Sequence, residues 1–408
     1  MRINRSQRLV DFLRPVPGAH RASGLRRTLP SPDGRTSMAR VAPRFRSRRV
    51  RVSICRPEEL DEGQLDAWKR FQSCDPLLAS PFLRPEFTQL AALVRRDVET
   101  AVIEEDGELR GFLPFQRRRR SAMPVGGGLS DCQALVAAPG WGFDARAVVR
   151  AAGLAVYEFT QMRAGQVPFV PFHRKVVASP VIALEGGFDT YARERRAAGR
   201  NVVNQTMSHA RRLERQLGPL RFAMHDPDPG SLHRLIGWKR RQYQRDRWGG
   251  ALDVFSHRWA VELLERVHAV QAAGFAGVLS TLWAGDRMVA AHMGMRSPTV
   301  LHYWFPSYDE AHAKLAPGRI LLLEMIRGAA AAGLQAIELG AGDDGYKDRF
   351  ANAAIPVASG LVGSPSIELW SRRLWRAAGA IAHRVPIGWG GRRADELIFR
   401  AEWQRSHR

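Results

Sequence analysis

The chain is predicted to be an α/β protein of the mixed, α+β kind, with mixed sheets flanked by helices. Three observations predict this. Val300–Phe305 is rich in β-branched and aromatic residues, the composition of a strand. Ile320–Ala332 repeats its apolar residues at helical spacing and is stopped by Gly333. Ala336–Leu339 is a short apolar run ending in a Gly- and Asp-rich turn over 340–345. A strand, a helix and a second strand in that order form a crossover unit, which implies a parallel or mixed sheet.

Composition narrows the class. At 408 residues the chain has room for two domains, each with its own core. No stretch approaches the ~20 continuous apolar residues of a membrane span. Cys55, Cys74 and Cys132 have no paired spacing. That suits a reducing, cytoplasmic compartment and argues against a disulfide framework or a metal site. The net charge of +22 is uneven: residues 1–51 hold fourteen Arg against Asp11 and Asp33, so +12 of it lies there. That segment mixes Pro, Gly, Ser and Arg with no period and is expected to be a disordered leader. Its charge would also suit a polyanion, Met38 is an alternative start, and it lacks the apolar core of a secretory signal.

Along the ordered part, Val52–Cys55 reads as a strand and Glu58–Ser73 as a helix with Leu60, Leu65, Trp68 and Phe71 inward. Pro85–Val94 is a second helix. Glu99–Glu104 and Gly111–Gln116 flank Asp106-Gly107, a hairpin turn. Arg117–Arg120 reads as a solvated loop, though four Arg can also hold phosphates. Ala145–Thr160 is expected to be helical, Val176–Leu184 apolar, and Tyr191–Gln216 one long basic helix. Ser231–Arg245 carries Trp238-Lys239-Arg240-Arg241-Gln242-Tyr243, a pattern shared by nucleic-acid or sugar surfaces and by core helices with snorkelling cations. His257–Ala273 is another helix. Val278–Ala284, Arg287–Met295 and Val300–Phe305 form a meander, with Gly285-Asp286 turning between the first two. His292 is the one titratable side chain in the centre of the middle strand. It fits a satisfied core histidine, and equally a general base if it faces a cleft. Val357–Val362 is the last strand, and Ile367–His383 a helix in the basic end.

The start of the helix after Val300–Phe305 reads Lys314-Leu315-Ala316-Pro317-Gly318-Arg319. Pro suits a first helical turn, and Gly lets a ligand approach the backbone. Free N–H groups and the dipole favour an anion there, with Lys314 and Arg319 adding charge. The same residues also describe an ordinary helix cap with two solvated cations.

A longer pattern carries a resemblance. Tyr308-Asp309, Ala316-Pro317-Gly318-Arg319, Glu338-Leu339-Gly340, Gly342-Asp343-Asp344, Tyr346-Lys347 and Arg349-Phe350 follow one another in about fifty residues. The run resembles the GNAT-type acetyltransferase domain of CelD-like proteins. These are associated with cellulose and other exopolysaccharides and are related to the FemAB aminoacyl transferases. Leu129-Ser130-Asp131-Cys132-Gln133 is similar to a second segment of such proteins, with Cys132 where Tyr is usual. The resemblance implies two tandem GNAT-like domains, at 52–178 and 179–364, between the leader 1–51 and a basic extension 365–408. It implies acyl transfer from acetyl-CoA to an amine or hydroxyl, with a small-molecule or saccharide acceptor and polysaccharide-synthesis machinery as partners.

The same resemblance marks site residues. Tyr308, Lys314, Pro317, Gly318 and Arg319 are expected to hold the donor's pyrophosphate. His292, Glu338, Asp131, Tyr303 and Tyr346 are the candidate bases and acids, with His292 or Glu338 as the base. Asp343, Asp344 and Lys347 would orient the acceptor. Two other readings stay open: an aminoacyl transferase fed by charged tRNA, which the basic helices favour, and a non-catalytic scaffold of an export complex. Gly126–Gly128 lacks the following helix and acidic residue of a dinucleotide fingerprint.

Overall fold

A computed structural model describes residues 50–245, 250, 253–342, 345–366 and 370. The leader expected over 1–51, but for Val50 and Arg51, lies outside the described residues. So does nearly all of the extension 365–408, including the helix expected over Ile367–His383.

Two halves repeat one order of elements. The first runs β1 (Val50–Cys55), α1 (Glu62–Cys74), α2 (Pro85–Val94), β2 (Val98–Glu105), β3 (Glu108–Arg118), β4 (Ser121–Met123), a short β5 (Val136–Ala137), α3 (Ala145–Ala151), β6 (Val156–Arg163) and β7 (His173–Ala183). Two helices, α4 (Gly187–Ala197) and α5 (Val202–Leu217), introduce the second half. Then come β8 (Leu220–Ala223), α6 (Pro229–Arg245), α7 (Arg258–Ala269), β9 (Ala276–Ala284), β10 (Arg287–Arg296), β11 (Val300–Tyr308), α8 (Pro317–Ala331), β12 (Ala336–Glu338), α9 (Lys347–Phe350) and β13 (Ala353–Gly363). Each half is therefore a strand, two helices, a three-strand meander, a helix, a strand parallel to the meander's last, and a closing strand.

The halves share one sheet, and they exchange their closing strands. The order is β1-β2-β3-β4-β6-β13-β7-β12-β11-β10-β9-β8, with β5 attached to β3. Swapping equivalent strands between halves reads the same order backwards, so the sheet has a pseudo-twofold at the β13–β7 pair. β13 closes the first half against β6, and β7 closes the second against β12. The boundary expected at 178/179 falls inside β7. Among the named strands of the described residues, β4–β6 and β11–β12 are the parallel pairs, at equivalent places in the two halves.

The core is also shared. Trp68, Phe71 and Phe87 of the first half pack in one cluster with Leu235, Leu263, Trp304 and Phe305 of the second. Trp68 stacks on Phe112 at 4.8 Å and donates its indole N–H to Leu83 O. Trp68, Phe87 and Phe112 are fully buried, and each such aromatic contributes about 1.5–3 kcal/mol. A second cluster lies under α4, α5 and α8, and a third under α3.

Two expected helices are corrected. The one predicted over Ala145–Thr160 stops at Ala151, because Gly153 takes φ +71° and turns the chain out of the helix. Val156-Tyr157-Glu158-Phe159 then runs as strand β6. The single long helix over Tyr191–Gln216 is broken by Gly199, at φ +71°, into α4 and α5. The Asp106-Gly107 hairpin forms as expected, both residues with positive φ. Arg117 pairs with Glu99 at 2.7 Å rather than standing in a phosphate-binding row.

A candidate acyl-transfer cavity

The two parallel strand pairs have different fates. β11 and β12 pair over three residues only, Val300–His302 with Ala336–Glu338. Beyond that β11 carries one extra residue against β10: Met295 faces His302 and Met293 faces Phe305, so Tyr303 and Trp304 form a bulge. Bulges bend a strand and re-aim its side chains, and here β11 leaves β12 to open a notch. In the first half the equivalent notch is filled. Gln133 bridges to Met162 of β6, and its Oε1 accepts from the N–H groups of Thr160 and Gln161 at 2.9 and 3.0 Å.

The filling segment delivers a carboxylate to the open notch. The indole N–H of Trp304 donates to Leu129 O at 2.9 Å. Ser130 Oγ donates to Cys132 O, and Gln133 Nε2 donates to Ser130 O. Tied at both ends, the loop sets Asp131 against β11, where Nε2–H of His302 donates to its Oδ2 at 3.0 Å. Gly340, at φ +71°, admits this approach, because a Cβ there would lie 2.8 Å from Asp131 Oδ2.

Behind Asp131 runs a buried chain of charges. His302 is enclosed and Asp131 half open, with side-chain exposures of 1% and 28%. His302 Nδ1 lies 3.6 Å from Glu338 Oε2, and Glu338 Oε1 accepts from the Arg163 guanidinium. Burial pulls the His302 pKa down, but the two flanking carboxylates outweigh it and hold it above the ordinary value. Burial would raise Glu338; Arg163 and His302 reverse this and hold it at about 2. Cys132 is a buried thiol pushed up to about 12 by desolvation, despite Arg163 nearby.

A cavity of about 530 Å3 opens from the notch. At one end stands the start of α8. Ala316 is its N-cap in the left-handed region, φ +55°, and no side chain caps the helix. The first-turn N–H of Gly318 has no intrahelical acceptor. Tyr308 lies across this turn, with a Cβ on Gly318 falling 3.2 Å from its ring. Lys314, Pro317, Gly318, Arg319 and Tyr308, all expected at the donor, line this end. Asp131, Tyr303, Tyr346 and Lys347 also line the cavity, as do His209 of α5 and Lys239 and Gln242 of α6. Lys347 Nζ donates to Gly340 O at 3.4 Å. Tyr303 is buried, which raises its hydroxyl well above the ordinary tyrosine value and keeps it a protonated phenol.

Two of the expected bases stand elsewhere. His292 is fully buried and is not a cavity wall. Its Nε2 accepts the Trp304 backbone N–H at 3.1 Å, and its ring stacks on Tyr303 at 4.5 Å. Burial and the neighbouring His302 lower its pKa to about 3, so it is a neutral acceptor that braces the bulge. Glu338 is locked to Arg163 and likewise lies behind the wall. Asp343 and Asp344 lie outside the described residues. His302 is hidden in the sequence by the apolar run around it; its one signal is its place directly before Tyr303, on the strand whose partner carries Glu338. Among the described residues no group of three or more His, Cys, Asp or Glu stands ready to hold a metal. No helix among them is long and apolar enough to cross a membrane.

Residues 200–348 match the family model described as an acetyltransferase (GNAT) domain. No curated protein sequence matches the chain. Among solved structures the chain is similar to FemX, with 8% identity, 73% of this chain and 94% of that one covered, and a TM-score of 0.48. It is similar to a conserved protein of unknown function from Bacteroides thetaiotaomicron at 14% identity, covering 74% and 98%, with a TM-score of 0.46. A tandem GNAT protein from the clavulanic acid biosynthesis pathway matches at 9% identity, covering 78% and 100%, with a TM-score of 0.44. The chain has a mixed α/β fold with a mixed sheet flanked by helices, and residues 200–348, which hold the open notch, match a GNAT-type acetyltransferase domain.

Proposed function

We propose that the chain transfers an acyl group, acetyl in the first instance, from acyl-CoA to an amine or hydroxyl of a small-molecule or saccharide acceptor. One observation carries the reading. An uncapped helix start flanked by Lys314 and Arg319, and a carboxylate backed by a buried histidine, face the same cavity beside a splayed parallel strand pair.

In this reading the donor's pyrophosphate lies on the Gly318 N–H at the positive end of α8, with Lys314 and Arg319 beside it. Asp131 orients the acceptor. The acceptor's nitrogen or oxygen attacks the thioester carbonyl carbon; a C–N or C–O bond forms and the C–S bond breaks. The acceptor's proton passes to Asp131, and the departing sulfur takes a proton from Tyr303 or Tyr346. His302 does not touch substrate; it fixes the Asp131 carboxylate. The CelD-like resemblance and the saccharide acceptor belong to this proposal, as does work beside polysaccharide-synthesis machinery.

A second reading is aminoacyl transfer from charged tRNA. It is favoured by the exposed Arg193, Arg196 and Arg200 along α4 and its end and by Arg211, Arg212 and Arg215 on α5, the helix that also sends His209 to the cavity. Thiol release from acetyl-CoA, measured over a panel of amino sugars, sugar hydroxyls and amines, separates the two. Acceptor-dependent release that survives RNase supports acyl-CoA as donor. Transfer that needs charged tRNA supports the second reading, and neither activity would leave the scaffold role.

A further inference from the structure

We propose that Arg163 and Glu338 are positioning residues for this transfer: acting through His302, they hold the Asp131 carboxylate in place at the cavity wall. The proposal rests on the reading that Asp131 meets the acceptor.

Four residues from four elements form one line. Asp131 comes from the loop after β4 and Arg163 from the end of β6, both in the first half. His302 on β11 and Glu338 on β12 are in the second. In the sheet, β6 and β12 are separated by the two exchanged strands, β13 and β7. The Arg163–Glu338 ion pair therefore spans the exchange, and the Asp131–His302 contact crosses it again. The site is complete only when both halves are in register.

The chemistry of the line alternates: cation, anion, imidazole, anion. Each nitrogen of the His302 ring faces a carboxylate oxygen, at 3.0 Å from Asp131 and 3.6 Å from Glu338. Both contacts favour the imidazolium. A buried anion at Glu338 without a partner would be expelled or neutralised; Arg163 keeps it ionised. Other groups near the ring change little. His292 on β10 is neutral. Cys132 stays a thiol. Phe82 presents an edge at 4.7 Å. Tyr243 of α6, near Asp131, is held as a phenol by burial. The charge on His302 is thus favoured by a carboxylate at each ring nitrogen, Asp131 in front and Glu338 behind, and the ring donates forward to Asp131 Oδ2, leaving Oδ1 for the acceptor.

A buried ion pair is weak evidence for stability, since an apolar pair of similar volume serves as well or better. What distinguishes this one is that it ends on a titratable ring, one residue from a cavity wall. The same fact supplies the test. Glu338→Gln removes the anion but strands Arg163, so Arg163→Met with Glu338→Met is the companion variant in which the core keeps its volume. The readout is the His302 ring titration in the full chain, by NMR of labelled histidine, assigned with His302→Gln. In both variants His302 is expected to lose its proton at a pH at least one unit lower than in the unaltered chain. At neutral pH kcat with the best acceptor falls at least tenfold, while Kd for acetyl-CoA changes less than twofold. An unmoved titration in the double Met variant, or a moved titration with unchanged kcat, overturns the proposal. If the unaltered chain acylates no acceptor, the functional reading fails separately, and the titration alone then decides whether the four groups are coupled.

Discussion

His302 Nε2–H donates to Asp131 Oδ2 across 3.0 Å, joining a core strand of one half of the molecule to a loop of the other. The partners are unequal: the ring is sealed in the core, and the carboxylate opens on the cavity. A carboxylate so fixed has one oxygen committed and one to offer. Asp131→Ala is expected to lower turnover by about 10²–10⁴-fold, the usual share of a positioned base. Donor affinity stays unchanged, because the α8 start lies at the other end. Steady-state rates beside acetyl-CoA titrations check this, and a variant with full kcat would remove Asp131 from the mechanism.

Gly340 stands against Asp131, and a substitution there disturbs the carboxylate without itself touching substrate. It sits at φ +71°, and an added Cβ would lie 2.8 Å from the carboxylate. Gly340→Ala therefore combines backbone strain of about 1–2 kcal/mol with a displaced Asp131. A drop of several degrees in Tm is expected together with at least tenfold lower kcat. Normal turnover in a destabilised variant would mean that the carboxylate tolerates displacement.

Acid stability follows from Glu338. Its folded value of about 2 lies below the ordinary 4.5. It therefore stabilises the fold fully above about pH 4.5, and this is lost as pH falls toward 2. His302 has the opposite sign: its folded value is raised, so its contribution is present at low pH and fades as pH rises through that value. Glu338→Gln leaves the Arg163 charge buried and unpaired, which costs about 3–5 kcal/mol. Denaturant titrations at pH 7 and pH 3 are expected to show that deficit shrinking in acid. An equal deficit at both pH values would contradict the ion-pair account.

Ala316 is a non-glycine residue in the left-handed region at the N-cap of α8. That conformation costs about 1–2 kcal/mol in a residue with a Cβ. Ala316→Gly should raise stability by about 0.5–1 kcal/mol, net of the added freedom of the unfolded chain. A destabilised variant would show that the Ala316 methyl packs more than it strains.

The elements nearest the site were the most legible in the sequence. Pro317 and Gly333 punctuate α8 at its two ends, and the strands on either side are short, apolar and bounded by turns. The periodic pattern misleads where one glycine overrides it, as at Gly153 and Gly199. The strand exchange has no local signal, because nothing in the residues of β7 or β13 specifies which half each one closes. That exchange, and the loop held by Trp304 and Gln133, decide which polar residues meet. So His292, prominent for its isolation, sits behind the bulge, while His302 and Arg163 join Asp131 and Glu338 from remote parts of the chain.

The α8 start is proposed to hold the pyrophosphate of an acyl-CoA donor. The decisive measurement is calorimetric titration of the chain with acetyl-CoA and desulfo-CoA, run beside a Gly318→Asp, Arg319→Ala variant. Both ligands are expected to bind the unaltered chain, and binding is expected to weaken at least tenfold, about 1.4 kcal/mol, when an anion replaces Gly318 and Arg319 is removed. Equal binding by the variant, or no binding to the unaltered chain at millimolar ligand, would contradict it.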